Sequence, residues 1–445
     1  MARRRSRRQR LPQEAVQIDI ENMSHEGRGI ARKEGKTIFI DNALLGEEVR
    51  FRYSSQRKTY DEGYAEEILL PSPDRVEPPC AYAQICGGCS LQHMDSAAQL
   101  RFKQSVLAEQ LEKFGGVTPE QWLEPLRGPT LGYRTKARLG ARYVAPKETA
   151  LIGFREKRSN FLADMQQCEV LVPEVGQHLL ALRELLNGLA ARERIPQIEM
   201  AADDNTVALI FRHMDPLSEA DFQALVDFCR ARDWHCYLQP KSEDSVHRVW
   251  PETGSERLYF DHPTYGLRMA FHPKDFTQVN MAINRAMVPL AIELLGLEKH
   301  HRVLDLFCGL GNFTLPLATQ SAEAVGVEVS EAMVQRGYEN ARANGVENVA
   351  FHAWDLQQSV EGQAWAAEPF DRIVLDPPRS GALEMIPILP KFGAEKIVYV
   401  SCNPATLARD AGELKAHGYH LVKAGVMDMF PHTSHVESIA LFERR

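Results

Sequence analysis

Between residues 15 and 70, apolar and polar positions alternate in short runs: Val16-Gln-Ile-Asp-Ile20, Thr37-Ile-Phe-Ile40, Glu48-Val-Arg-Phe-Arg52 and Tyr64-Ala-Glu-Glu-Ile68. Period two is the signature of strands buried on one face. Gly27, Gly29, Gly35 and Gly46 fall where turns are needed, so the stretch predicts a small antiparallel barrel. Pro71-Ser-Pro73 and Pro78-Pro79 mark a linker. Residues 96–114 carry Leu100, Val106, Leu107, Leu111 and Phe114 ahead of Gly115-Gly116, a helix with a glycine stop. Residues 131–144 and 151–162 read as strands of a central α+β domain, and Ser218-Glu-Ala-Asp221 as a capping box opening a helix through Cys229.

From about residue 265, strand-like and helix-like runs alternate, which predicts a mostly parallel sheet. Its strands are expected at residues 302–307, at 324–327, in a run ending at Trp354-Asp355, from Arg372 to Asp376, and at 397–401. The chain thus reads as a multidomain α/β protein: a tail at 1–14, a barrel at 15–70, a central domain at 71–264 and a Rossmann-like domain at 265–445.

Charge changes this picture at one end only. The chain of 445 residues has net charge −8, yet residues 1–60 hold 14 Lys/Arg against 8 Asp/Glu, a local +6 that leaves −14 for the rest. Local basic surface is what attracts phosphate. Arg28, Arg32, Lys33, Lys36, Arg50, Arg52, Arg57 and Lys58 stand among Phe51, Tyr53 and Tyr60, a mixture suited to single-stranded RNA. Arg134, Lys136, Arg138, Arg142, Arg155, Lys157 and Arg158 form a second basic set near the cysteine cluster, which reads either as a solvated sheet face or as a second RNA-facing surface. No apolar run approaches the roughly 20 residues that span a bilayer, and no signal-peptide core is visible, so a cytoplasmic protein with no membrane partner is expected.

Candidate chemistry sits at predicted strand ends. Cys308-Gly-Leu-Gly-Asn-Phe313 is a glycine turn between a strand and a helix, and Glu328 follows seventeen residues after Gly311, where an acid would bind a ribose diol. Both NAD and S-adenosylmethionine sites use such an acid. Thr314 stands where a dinucleotide turn has its third glycine, which leaves little provision for a pyrophosphate. Asp355 is placed to reach an adenine amino group, and Pro377-Pro378 presents Asp376 rigidly. Cys402 follows a buried strand directly and Asn403-Pro404 stops it, so a thiol is offered at the carboxyl end of a strand. A buried structural cysteine is the competing reading. Cys308 has no evident partner, and Cys229 and Cys236 read as core.

Cys80, Cys86 and Cys89 form C-x5-C-x2-C, with Gly87-Gly88 allowing a tight fold, and Cys168 is the best candidate for a fourth ligand. Four-cysteine zinc is one option. Three clustered cysteines and one distant cysteine suit an iron–sulfur cluster better.

Taken together, Asp305-Leu-Phe-Cys-Gly-Leu-Gly-Asn-Phe313, Asp376-Pro-Pro-Arg-Ser-Gly381, Ser401-Cys-Asn-Pro404, Phe430-Pro-His-Thr-Ser-His-Val-Glu437 and the cysteine set resemble the bacterial RNA (uracil-5-)-methyltransferases, most closely the type acting on 23S ribosomal RNA. The resemblance implies an N-terminal TRAM domain, an OB-like RNA-binding barrel. It implies a 4Fe–4S cluster on Cys80, Cys86, Cys89 and Cys168, and an S-adenosylmethionine site lined by Gln278, Phe307, Asn312, Glu328, Asp355 and Asp376. It further implies Cys402 as nucleophile, Glu437 as general base, and a single-stranded or loop segment of 23S rRNA as partner, with no obligate protein partner evident. Ala81 departs from the family, which usually has proline after the first cluster cysteine. An NAD-dependent oxidoreductase is disfavoured by the missing glycine, and a non-catalytic iron–sulfur RNA-binding protein by the presence of both Cys402 and Glu437. A tRNA-directed relative is expected to lack the barrel and the four cysteines.

Overall fold

The computed structural model describes residues 11–12 and 14–445, so the Arg-rich tail lies almost wholly outside the described residues. The chain divides into two compact units: residues through Arg101 together with His432–Ser434, and Phe102–Pro431 together with His435–Arg445.

The first unit holds a six-stranded sheet of β1 (Val16–Asp19), β2 (Asn22–Met23), β3 (Gly29–Lys33), β4 (Lys36–Asp41), β5 (Glu48–Gln56) and β6 (Tyr60–Leu70), in the order β1-β5-β6-β4-β3-β2. All pairs are antiparallel except β4 with β6. Alternation turns Ile20, Ala31, Ile38, Ile40, Val49 and Phe51 into one core. Phe51 is therefore sealed inside and is no platform for a base. Four of the basic residues are also committed: Arg28 to Glu26 and Glu62, Lys36 to Asp61, Arg50 to Glu67 and Arg52 to Glu66. Arg32, Lys33, Arg57 and Lys58 remain exposed. The buried Glu47 carboxylate accepts two bonds from Arg75, at 2.5 and 2.8 Å, and the Ser72 N–H at 3.1 Å, which clamps the proline linker to the sheet.

The second unit has two large sheets. After the short β7 (Gln121–Trp122), β8 (Lys136–Val144), β9 (Thr149–Gly153), β10 (Gln197–Ala202), β11 (Val207–Arg212), β12 (His235–Gln239) and β13 (His247–Trp250) build a mixed sheet in the order β13-β12-β11-β10-β8-β9. The strand expected to run through residue 162 stops at Gly153. Residues beyond it form a loop closed by one Arg155–Leu162 bridge. Ser218 caps the helix Glu219–Arg230 by accepting the Asp221 N–H at 3.1 Å. The capping box is only half made, because the Asp221 carboxylate instead accepts the N–H groups of Ala190 and Ala191. Cys229 and Cys236 are fully buried core.

A hairpin, β14 (Leu258–His262) and β15 (Leu267–Phe271), precedes the main sheet. That sheet comprises β16 (Arg302–Leu306), β17 (Glu323–Glu328), β18 (Val349–Ala353), β19 (Arg372–Leu375), β20 (Lys396–Ser401), β21 (Tyr419–Met427) and β22 (Glu437–Arg444), in the order β18-β17-β16-β19-β20-β22-β21-β7. Strands β16 to β20 are mutually parallel, whereas β22 runs antiparallel between β20 and β21.

Helices cover both faces, which is why these strands read as near-continuous apolar runs. On one face Ile283, Met287, Val288 and Ala291 of the helix Met281–Leu295 pack on Val303, Val374, Val398 and Val400. Each fully buried Ile, Val or Met among them contributes about 1.5–3 kcal/mol. On the other face Tyr399 donates its hydroxyl to Asp410 of the helix Pro404–Ala416 at 2.7 Å. The helix Ser96–Gln110 widens to a π turn at Leu111–Gly115 and ends on Gly116 at φ 58°. No helix among the described residues is long and apolar enough to cross a membrane.

Beneath the glycine turn, a Cβ on Gly326 would lie 2.8 Å from both Cys308 Sγ and the Phe351 ring. The missing side chain is what lets the turn settle onto β17, and it gives Cys308 a packing role. Gly326→Val should therefore destabilise the protein by about 1–3 kcal/mol or more; chemical denaturation of the two proteins measures it.

Candidate active site

Parallel strands share a direction, so five of them end on one edge: β18 just before Trp354-Asp355, β17 at Glu328, β16 before Phe307, β19 before Asp376 and β20 before Cys402. Strand β22 runs the other way and starts on that edge with Glu437. Ser401 is paired with Ser438, so Cys402 and Glu437 stand one step past the last ladder pair on adjacent strands.

The glycine turn is tighter than the sequence implies. β16 stops at Leu306 because Phe307 enters the left-handed region at φ 66°, a conformation rare for a bulky side chain and one that collects at functional sites. The N–H groups of Phe307 and Cys308 both donate to the Val327 carbonyl, at 2.9 and 3.1 Å. Gly309 donates to one Glu328 oxygen at 3.2 Å and Ser330 to the other at 3.0 Å. Each oxygen keeps an unused lone pair, so the carboxylate can still accept hydroxyl groups. Gly311 sits at φ 93°, and a Cβ there would lie 3.0 Å from the Phe351 ring. Asn312 exchanges two 2.9 Å hydrogen bonds with Asn284 and contacts His262 Nε2 at 3.1 Å. These bonds fix the turn to the helix Met281–Leu295 and leave the second N–H of the Asn312 amide uncommitted to Asn284.

Electrostatics divide the ionisable groups. Asp305 is buried with only one oxygen satisfied, by the Thr314 hydroxyl at 2.5 Å, and desolvation pushes its carboxyl up to about 8. Desolvation also pushes Asp376 up to about 7. Glu437 is buried and rises well above the usual carboxylate range, first by desolvation and then by the charge of Asp376, with Arg379 and Lys103 opposing. The Cys402 thiol is raised by burial, then by Glu437 and Asp376, with Arg379 opposing. The same surroundings that raise Glu437 thus disfavour the Cys402 thiolate as well. The Asn403 side chain caps the helix Pro404–Ala416 and donates to the Arg379 carbonyl at 3.0 Å, tying the turn after Asp376 to the turn after Cys402.

Two expected residues are less central. Asp355 is half-buried and accepts from the Gln357 N–H at 3.0 Å and Gln358 Nε2 at 3.2 Å. Gln278 lies half-buried in the loop of residues 272–280, before the helix Met281–Leu295. In the first unit, Cys80 and Cys86 are buried, Cys89 is half-buried, and the Gly88 N–H donates to Cys86 Sγ at 3.3 Å; Cys168 is a buried residue of the second unit. Among the described residues no three His, Cys, Asp or Glu side chains converge to hold a single metal ion.

Sequence reasoning missed Asp305 as a neutral acid, Asn284 and His262 as supports of Asn312, and Lys103, which is fully buried. Only the D-x-F-C-G-x-G-N string carried a signal, for Asp305. The others come from distant helices and a hairpin.

Residues 95–445 match the tRNA (Uracil-5-)-methyltransferase family. A protein of Alcanivorax borkumensis is 62% identical over 98% of each chain, and one of Hahella chejuensis 53% identical over 98% of this chain and 99% of its own. Both are named 23S rRNA (uracil(1939)-C(5))-methyltransferase RlmD. The crystal structure of Pyrococcus abyssi tRNA (uracil-54, C5)-methyltransferase with S-adenosyl-L-homocysteine shares the fold, with TM-score 0.74 and 24% identity over 96% of this chain and 99% of its own. The chain belongs to the RNA uracil-C5-methyltransferase family. Within it, its most similar relatives include enzymes of the RlmD type.

The raised Asp305 gives a pH prediction. The folded state holds this proton up to about 8, while an unfolded carboxylate releases it near 4. Its contribution to stability is complete below about 4, falls as pH rises towards about 8, and is lost above that. Asp305→Asn should remove that slope, so the difference in urea midpoint between the two proteins should shift in favour of the variant across this range.

Proposed function

We propose that this chain transfers the methyl group of S-adenosylmethionine to C5 of a uridine in 23S ribosomal RNA, through a covalent intermediate on Cys402. The carrying observation is the pairing of a thiol and a buried carboxylate at adjacent strand ends, on the edge that also bears the glycine turn. The whole-length likeness to RlmD proteins supports the ribosomal substrate.

Each step needs a particular residue type. Uracil C5 is too weak a nucleophile to take a methyl group unaided. Addition of the Cys402 thiolate to C6 makes C5 enolate-like, and C5 then attacks the sulfonium methyl group, so that S-adenosylhomocysteine leaves with the electron pair of the broken C–S bond. C5 now carries a proton and a methyl group. Glu437, made a stronger base by its burial, removes that proton, and the C6–sulfur bond breaks. Glu328 is assigned to the ribose hydroxyls. Phe307, Asn312, Asp355 and Gln278 are assigned to the rest of the methyl-donor site, and Asp376 to the wall between donor and base.

Residues 15–70 are assigned as a TRAM-like RNA-binding module with Arg32, Lys33, Arg57 and Lys58 as its exposed cations. Residues 71–264 are assigned as a central domain and 265–445 as the methyltransferase domain. Cys80, Cys86, Cys89 and Cys168 are assigned to a 4Fe–4S cluster on the resemblance, supported by three thiols within ten residues and a hydrogen bond from the Gly88 N–H to the Cys86 sulfur. When bound, such a cluster supplies a covalent tie among its thiolates; no step of methyl transfer runs through it.

RNA carrying 5-fluorouridine at the target, together with S-adenosylmethionine, should form an adduct with Cys402 that survives denaturing electrophoresis, because after methyl transfer C5 carries fluorine in place of the proton and fluorine cannot leave as a cation. Cys402→Ala should abolish both adduct and methylation, and Glu437→Gln should methylate yet accumulate the adduct with ordinary uridine. Absence of an adduct from the intact enzyme would sink the mechanism, and mapping of 5-methyluridine in ribosomal and transfer RNA with and without the gene tests the substrate. Anaerobically purified protein should contain about four iron atoms and acid-labile sulfide per chain; zinc alone would reject the cluster.

A further inference from the structure

Lys103 is the one fully buried lysine among the described residues. Its ammonium donates to Asp428 Oδ1 at 2.8 Å and to the Phe430 carbonyl at 2.9 Å. Asp428 directly follows Met427, and Met427 is the ladder partner of Glu437 across β21 and β22. The lysine side chain therefore fastens the helix Ser96–Gln110 to the strand end opposite Glu437. Burial of such a pair is a poor route to stability, because desolvating two charges offsets most of their attraction. A reason for it is better sought in what lies beside it.

We propose that the buried Lys103–Asp428 pair is a positioning device for Glu437, pinning the strand end opposite the base and holding a fixed positive charge next to it. The charges acting on Glu437 come from separate elements: Asp376 at the end of β19 opposes its ionisation, while Arg379 in the following turn and Lys103 from the helix favour it. Asp428 lies just past the end of β21, and Cys402, whose thiol is raised first by burial and then by the Glu437 charge, just past the end of β20. Burial and the charge of Asp376 both raise Glu437, so the two cations are what favour its ionised form. Arg379 has the larger effect of the two but is exposed, so solvent and salt screen it; Lys103 is sealed, its ammonium is pushed down by burial and held charged by Asp428, and added salt reaches its field less. Lys103 touches neither substrate nor cofactor in this scheme, and it acts only through Glu437.

The inference rests on Glu437 being the base, and the experiment separates the two. Release of methylated RNA from the Cys402 adduct is followed against pH for the wild type, Lys103→Met, Lys103→Arg, the double variant Lys103→Met with Asp428→Leu, and Glu437→Gln. Removing the lysine charge should move the acid limb of the release rate upward by about one pH unit, a roughly tenfold loss below it, with adduct formation little changed. Lys103→Arg should restore most of the profile. The double variant leaves no unpaired buried charge, so it keeps the test valid if Lys103→Met folds poorly, and it should show the upward shift with a near-normal melting temperature. An unmoved acid limb in the folded double variant, or equal loss of adduct formation and release, overturns the positioning role. Failure of Glu437→Gln to accumulate adduct overturns the base assignment instead.

Discussion

The ladder between β20 and β22 aligns Ser401 with Ser438 and thereby sets Cys402 against Glu437. In a wholly parallel sheet every strand would present its carboxyl end at this edge, and a residue at the start of a strand would lie on the far side. One antiparallel strand inserted between β20 and β21 brings the start of β22 to the same edge. A register slip of one residue would turn Glu437 to the opposite face. The fully buried side chains of Val398, Val400, Ile439 and Leu441 make that slip costly.

The same edge is organised by burial as much as by register. Asp305, Asp376 and Glu437 are three acids in a poorly solvated region, and all three rise above the ordinary range. Like charges this close cannot all ionise cheaply. The opposing cations are unequal: Arg379 stands in solvent, whereas Lys103 is sealed and paired. Burial thus raises both the Cys402 thiol and the Glu437 carboxyl, and the two cations oppose the rise at Glu437.

Much of the fold was legible along the chain. The strands leading to Glu328, Asp376 and Cys402 are continuous apolar runs closed by acids, glycines or prolines, and a strand buried on both faces has to read that way. The misreadings have local causes. Residues 302–307 looked like one strand, but the backbone turns left-handed at Phe307 so that two N–H groups can share the Val327 carbonyl. Residues 151–162 begin and end on apolar pairs, but the six polar residues from Arg155 to Asn160 between them form a loop, and ladder pairing stops at Gly153. Phe51 looked available to stack on a base, but its place in the pleat points inward. The count of basic residues in the first unit overstated its open charge, since carboxylates on neighbouring strands neutralise half of them.

The sequence by itself determined the alternation of elements, the glycine turn with its acid, and the thiol at a strand end, because these depend on neighbours within a few residues. Tertiary structure alone decided that β22 runs antiparallel, that the Asn312 amide pairs with Asn284, and that Lys103 lies buried against Asp428, 325 residues away. Such facts arise from pairing and packing between distant segments. No local period records them.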